Sequence, residues 1–229
     1  MAHRTGVIAA AFALLAFSAA CGGGDGQPAP TASSQIVNGG FENGRVPWFV
    51  LKPPEFNISD AKAHSGIFSA QLELRGNESD RDTKIAYLVQ EMQPAEFPDV
   101  LSGYYYVDNW KKGTGKQYLQ FVVVAFAPKN FPEDISNYQI RYLLAGIDSP
   151  PFDIANAKFI FDSKEDPPVG QWVKFEHNVK EDFKRLWDKV PEDFDNIRLL
   201  FEVRYDDKAA GEGPAEADVY YDDLYFGPP

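Results

Sequence analysis

Cysteine is almost absent. The single Cys21 in 229 residues excludes an intrachain disulfide and any zinc site built on cysteine thiolates. Histidine is nearly as scarce, at three residues, and only His64 and His177 lie beyond the extreme N-terminus. That is too few for a histidine-rich metal site, and it leaves little material for a Ser-His-Asp triad. Basic side chains number 22 against 34 acidic ones, a net charge of −12, and nowhere do they form a stripe. A chain of this sign repels phosphate backbones, which argues against nucleic acid as a partner. It repels anionic lipid as well, so any membrane attachment has to come from an anchor. Hydrophobic residues, at 44%, are ample for one stable core without staples.

Residues 1–21, MAHRTGVIAAAFALLAFSAAC, place Arg4 before an apolar run, Val7 to Phe17, and then small residues up to Cys21. The run is too short for a comfortable transmembrane helix and has the layout of an export signal. With the lone cysteine following Ala19-Ala20, it resembles a bacterial lipoprotein signal, in which Cys21 becomes the lipidated first residue of the mature chain. Ser18 departs from that pattern, where leucine is usual. The alternative is plain secretion, with Cys21 a spare thiol. The lipoprotein reading implies an exported protein anchored at the cell envelope or surface through lipid alone. Residues 22–34, GGGDGQPAPTASS, hold no large apolar side chain and read as a flexible tether. A single domain then occupies 35–229.

From Gln35 the apolar period is two. Strands are expected at Phe68–Leu74, Ile85–Met92, Leu101–Val107, Tyr118–Ala127, Tyr138–Leu144, Lys158–Phe161, Trp172–His177, Ile197–Tyr205 and Asp218–Phe226. Nine strands parted by Gly, Pro, Asn and Asp clusters predict an all-β antiparallel sandwich or barrel. One stretch, Val179–Val190, carries Val179, Phe183, Leu186, Trp187 and Val190 at helical spacing and predicts a short surface helix capping the sandwich. The loops Pro128–Asn137, Asp148–Ala155 and Asp162–Gly170 are long for a minimal sandwich and are where specificity would reside.

The domain opens with Asn38-Gly39-Gly40-Phe41-Glu42-Asn43-Gly44 and Trp48, continues with His64-Ser65-Gly66 before Phe68-Ser69-Ala70, and closes with Tyr220-Tyr221-Asp222-Asp223-Leu224-Tyr225-Phe226. In this order the three landmarks resemble carbohydrate-binding modules of the galactose-binding-like jelly-roll type, families 4, 9 and 22. Residues 75–215 share only strand rhythm and the Gly170-Gln171-Trp172 entry. The resemblance implies a jelly-roll sandwich, polysaccharide or glycan binding, and a structural calcium ion tying the first strand to the last. It would be held by Glu42 and Asp222, with backbone oxygens near Gly40 and Ser65. Strict alternation puts Tyr220, Asp222, Leu224 and Phe226 on one face, so Asp222 is expected to point inward, where a carboxylate needs a cation or a hydrogen-bond cluster. Capping of nearby turn amides by Glu42 and Asp222, without metal, is the other reading.

A sugar site needs aromatic platforms and planar hydrogen-bonding side chains. Tyr104, Tyr106, Trp110, Tyr118, Gln120 and Arg141 are expected to line one cleft, with Arg204 a further member. Trp48 and Trp172 are expected to anchor the core, Trp187 to hold the helix, and His177 to face solvent. Non-catalytic carbohydrate binding is thus the expected function. A sandwich used for protein–protein contact at the envelope is one alternative. A polysaccharide lyase or hydrolase is the other, although no spacing of candidate acids and bases supports it.

Overall fold

The structure, a computed structural model, describes residues 33–76, 83–206 and 214–229. The leader, Cys21 and the tether up to residue 32 lie outside the described residues. Ten strands and one helix follow in chain order: β1 (Asn57–Ser59), β2 (Ser69–Arg75), β3 (Lys84–Met92), β4 (Val100–Lys111), β5 (Lys116–Phe126), β6 (Asn137–Ala145), β7 (Ala157–Phe161), β8 (Trp172–Asn178), α1 (Val179–Trp187), β9 (Asn196–Asp206) and β10 (Glu216–Gly227). They form two five-stranded sheets, ordered β1-β2-β10-β4-β8 and β3-β9-β5-β6-β7. The all-β sandwich is as expected, and each of the nine expected strands is present. The short β1, too polar to announce itself, is added.

Alternation along each strand builds the core. In β5, Leu119, Phe121, Val123 and Ala125 turn inward, and in β9 Ile197, Leu199, Phe201, Val203 and Tyr205 do the same. Phe201 stands at the centre, its ring centroid 5.4 Å from Tyr221, 6.0 Å from both Trp48 and Phe121, and 6.2 Å from Phe175. Burial of this kind raises phenol pKa values. Tyr105 is pushed up to about 12, mainly by desolvation and further by Asp162. Tyr142 and Tyr221 lie well above the ordinary value, again chiefly through burial. A raised folded-state pKa contributes stability that is complete below 10.0 and is lost as pH climbs through the raised value. Alkaline titration followed by phenolate absorbance should therefore be biphasic, with exposed tyrosines ionising first and the buried ones together with unfolding. A single smooth step near 10.0 in the folded protein would contradict this burial.

Helix α1 has local causes. Asn178 caps its start by accepting from the Glu181 N–H at 3.0 Å. Glu181 and Asp182 occupy the first turn and Lys184 and Arg185 the last, in keeping with the helix dipole. It ends at Trp187, three residues short of the expected Val190, because Asp188 adopts a left-handed φ of 58°. Trp187 holds the helix down as expected, packing 5.1 Å from the Tyr138 ring.

Two departures from regular geometry position the functional surfaces. First, β6 and β7 pair in parallel, whereas every other strand pair is antiparallel. A parallel neighbour requires a crossover rather than a hairpin. Residues 146–156 make that crossover, and it brings Phe152 over the outer face of the second sheet. Second, the β4–β10 ladder slips twice, opposite Asp108 and between Asp222 and Tyr225, where Asp223 takes a φ of 50°. Each slip exchanges inward and outward side chains beyond it.

Candidate ligand-binding face

The slip at Asp223 corrects the expected orientation of Asp222. Val219, Tyr221, Leu224 and Phe226 turn inward and join the core. Asp222, paired with Tyr104, faces outward on the first sheet and is buried because the loop before β2 folds over it. Its Oδ2 accepts from the backbone N–H groups of His64, at 2.7 Å, and Ser65, at 3.2 Å, and its Oδ1 accepts from Asp223 N–H at 2.7 Å. Asp223 accepts from Ser65 Oγ at 2.6 Å and lies 2.6 Å from His64 Nδ1. Glu42 Oε1 accepts from the N–H groups of Ile67 and Phe68, at 2.8 and 2.9 Å. A Cβ at Gly66, which has a φ of 63°, would fall 2.3 Å from that same oxygen, so only glycine fits there.

Glu42, Ser65 and Asp222 thus meet around residues 64–68. Gly40 is close by, since its missing Cβ would lie 3.8 Å from one carboxylate oxygen of Asp222 and one of Asp223. Burial pushes the Asp222 carboxyl up, and Asp223 adds to this against the pull of the three amides. Among the described residues no three acidic, histidine or cysteine side chains form a metal-ligating group.

The six expected cleft residues do not share a surface. Tyr104 and Tyr106 are on the outer face of the first sheet. His64 stacks on Tyr104 at 3.5 Å, Lys62 Nζ sits 5.0 Å over Tyr106, and Tyr106 packs 5.4 Å from Trp172. These rings hold the 60–67 loop, and Trp172 belongs with them rather than to the core. Trp110 falls beyond the slip at Asp108, opposite Ala217, and packs inward. His177 also turns inward, 4.4 Å from Tyr142, with Nε2 2.9 Å from Asp162. Trp48 is in the core as expected.

Tyr118, Gln120, Arg141 and Arg204 do converge, on the outer face of the second sheet. Two acids outside the expected cleft, Glu202 and Asp206, join them. Arg204 donates through Nε and Nη2 to Asp206 at 3.3 and 3.2 Å, and its Nη1 stands 3.6 Å from Glu202. Tyr118 donates to Asp206 at 2.6 Å, and Gln120 Nε2 donates to Glu202 Oε2. Arg141 donates through Nε to Gln139 at 2.9 Å, while its Nη1 is 4.0 Å from Glu202, beyond hydrogen-bond reach. Burial is the largest influence on both arginines. It leaves Arg141 below its ordinary pKa, whereas Glu202, Tyr118 and Asp206 hold Arg204 above its own.

Two polar atoms in this network have no hydrogen-bond partner, Gln120 Oε1 and Arg141 Nη1. Each such buried atom costs about 1–3 kcal/mol if it stays unsatisfied. Above the two arginines lies Phe152, its ring centroid 5.0 Å from the Arg141 guanidinium carbon and 5.6 Å from that of Arg204. A cavity of about 390 Å³ opens on the β3 side, lined by Leu51, Pro53, Ile85, Tyr87, Leu200 and Glu202. Another, of about 510 Å³, opens on the β7 side among Pro150, Pro151, Phe152, Phe159 and Phe161. Glu202 was legible in principle, because β9 alternates apolar residues with Arg198, Glu202 and Arg204. Phe152 had no signal beyond its place in a loop already marked for specificity.

No family model matches the chain, and no curated protein matches it. Among solved structures it is similar to TmCBM61 in complex with beta-1,4-galactotriose, at 13% identity over 84% of this chain and 97% of that one, with a TM-score of 0.44. It is similar to the C-terminal family 22 carbohydrate-binding module of Clostridium thermocellum Xyn10B, at 12% identity over 84% and 95%, with a TM-score of 0.43. It is also similar to CBM28, a carbohydrate-binding module specific for non-crystalline cellulose, at 14% identity over 85% and 94%, with a TM-score of 0.41.

Proposed function

We propose that this protein binds a polysaccharide or glycan without cleaving it, on the outer face of the second sheet, and that a lipid on Cys21 holds it at the envelope. One observation carries the reading. Gln120, Arg141, Glu202 and Arg204 form a floor of planar hydrogen-bonding groups on strands, beneath Phe152, beside Tyr87 and between two cavities walled largely by apolar residues. Sugars present hydroxyl rims and apolar C–H faces, and this is the complementary chemistry. Tyr118 positions Asp206 and through it Arg204. Both acids of the floor are engaged by arginine, which suits them to fixed hydrogen-bond acceptance rather than proton transfer.

Affinity electrophoresis and pull-down across soluble and insoluble polysaccharides test the proposal. Retention by at least one polymer is expected, with no new reducing ends, and Arg141→Gln should weaken it about tenfold through loss of a charged donor. Release of reducing or unsaturated ends would turn the reading toward an enzyme. The crossover lying on the floor favours a second reading, a protein-contact face, and silence across a broad panel would point there. Radiolabelled fatty acid should enter the full chain and not Cys21→Ala.

Calcium belongs to the same proposal. Asp222 is buried and its carboxyl is pushed up by desolvation, conditions that a divalent cation relieves. Glu42, Asp222 and backbone oxygens near Gly40 and Ser65 would hold it, and it would supply rigidity to the 64–68 loop. Chelation should lower the melting temperature by several degrees. Without metal, the Asp222 contribution to stability is complete below 3.8 and is lost as pH rises through the raised folded-state value. The increment from added calcium should therefore grow with pH across that window. A melt indifferent to chelator at pH 7 removes the metal.

A further inference from the structure

We infer that Phe152 is a plug over the ligand floor, and that Gln120 Oε1 and Arg141 Nη1 are an acceptor–donor pair kept for one hydroxyl of the glycan. This rests on the binding function proposed above. Gln120 Nε2, Arg141 Nε and the Nε and Nη2 of Arg204 all have partners. Among the described residues, the buried floor atoms without a partner are one acceptor on β5 and one donor on β6. A single hydroxyl donates to one and accepts from the other, a complement that neither an apolar group nor a carboxylate provides. What covers the Arg141 side of the floor is the Phe152 ring, whose face attracts the guanidinium but gives Nη1 no lone pair and Gln120 Oε1 no donor.

The loop carrying the ring is suited to move. Residues 148–150 and 153–155 are exposed, and Phe152 is the side chain that reaches the floor. Nearby anchors are the bond from Lys116 Nζ to the Pro151 carbonyl at 2.9 Å and an edge contact between the Phe152 and Phe159 rings at 5.7 Å. The two cavities lie on either side of this segment, on one sheet face. Displacing Phe152 would join them across β9, β5 and β6 and uncover the Arg141 guanidinium, with Gln120 on the adjacent strand. A stacking platform would sit beside such a floor, whereas Phe152 sits on it.

The test uses the full chain, Phe152→Ala and Phe152→Leu, with folding checked by circular dichroism. In the absence of ligand, phenylglyoxal labelling of Arg141 is mapped by mass spectrometry. Labelling should be slow in the wild type, at least fivefold faster in Phe152→Ala, and intermediate in Phe152→Leu. Equal rates in all three would overturn the plug. With the polymer that the wild type retains, Phe152→Ala should bind about three- to tenfold more tightly, mainly through faster association. Gln120→Met in that background should remove the gain. Weaker binding by Phe152→Ala would make the ring a platform and overturn the inference while leaving carbohydrate binding intact. Should no polymer bind any variant, the binding function fails, and with it the assignment of the two atoms to a sugar hydroxyl.

Discussion

Replacing Glu202 with leucine is expected to lower the unfolding free energy by about 3–5 kcal/mol, because it strips the counter-charge from two buried guanidiniums. The side chains of Arg141 and Arg204 are only 15% and 12% exposed, and Glu202 Oε2 is the oxygen that both approach, at 4.0 and 3.6 Å. Arg204 keeps Asp206, but Arg141 is left with no carboxylate, and Gln120 loses the acceptor for its Nε2. For a domain of this size the loss corresponds to a fall in melting temperature of roughly 6–20 °C. The mechanism is separable from lost packing. Glu202→Leu combined with Arg141→Met should recover part of the loss, since a buried ion pair exchanged as a unit for apolar groups is near neutral. Urea unfolding with an unchanged slope reads both numbers. A loss below about 1 kcal/mol for the single variant would mean that water, not Glu202, solvates these arginines.

Phe201→Ala, one residue earlier and on the opposite face of β9, should cost a similar amount for a different reason. Phe201 has no exposed surface, and its ring meets Trp48, Phe121, Phe175 and Tyr221. Truncation removes the transfer free energy of the ring and leaves a cavity that Trp48 and three aromatics on separate strands cannot collapse to fill. Phenylalanine truncations in such cores cost about 3–5 kcal/mol. Unlike the Glu202 loss, this one should not be recovered by any substitution among the floor residues. It should also leave glycan retention unchanged in the protein that stays folded, because the outer face of β9 is untouched. A double variant with Glu202→Leu tests how far the two faces of one strand act independently.

The sequence carried the strands well and the faces imperfectly. Period-two runs such as Tyr118–Ala127 and Ile197–Tyr205 state their own alternation, and the structure follows it. Alternation does not say which sheet a strand enters. β4 and β5 are neighbours in the chain yet belong to opposite sheets, so Tyr104 and Tyr106 became separated from Tyr118, Gln120 and Arg141 by the whole core. Nor does it survive a slipped ladder. One extra residue at Asp108 sent Trp110 inward, and another at Asp223 sent Asp222 outward. The acids near the ends of the domain were nonetheless picked out by residue type. Their role in gripping the 64–68 amides depends on loop geometry that no periodicity encodes. Arg204 and Glu202 were legible as the polar half of an otherwise apolar strand. The ring that covers them arrives from a crossover whose path is set by β7 pairing in parallel with β6.

β10 lies at the middle of its sheet, hydrogen-bonded to β2 on one side and to β4 on the other. It also follows every other described strand in the chain. The sheet built on β3, β9, β5, β6 and β7 has all its members once residue 206 has been made, whereas β2 and β4 wait for a neighbour they share but cannot replace with each other. Assembly therefore has a direction. One layer can form on the nascent chain, while the other exposes unpaired strand edges until β10 slots between them. During that interval the chain is most open to proteolysis and to pairing with another copy of itself.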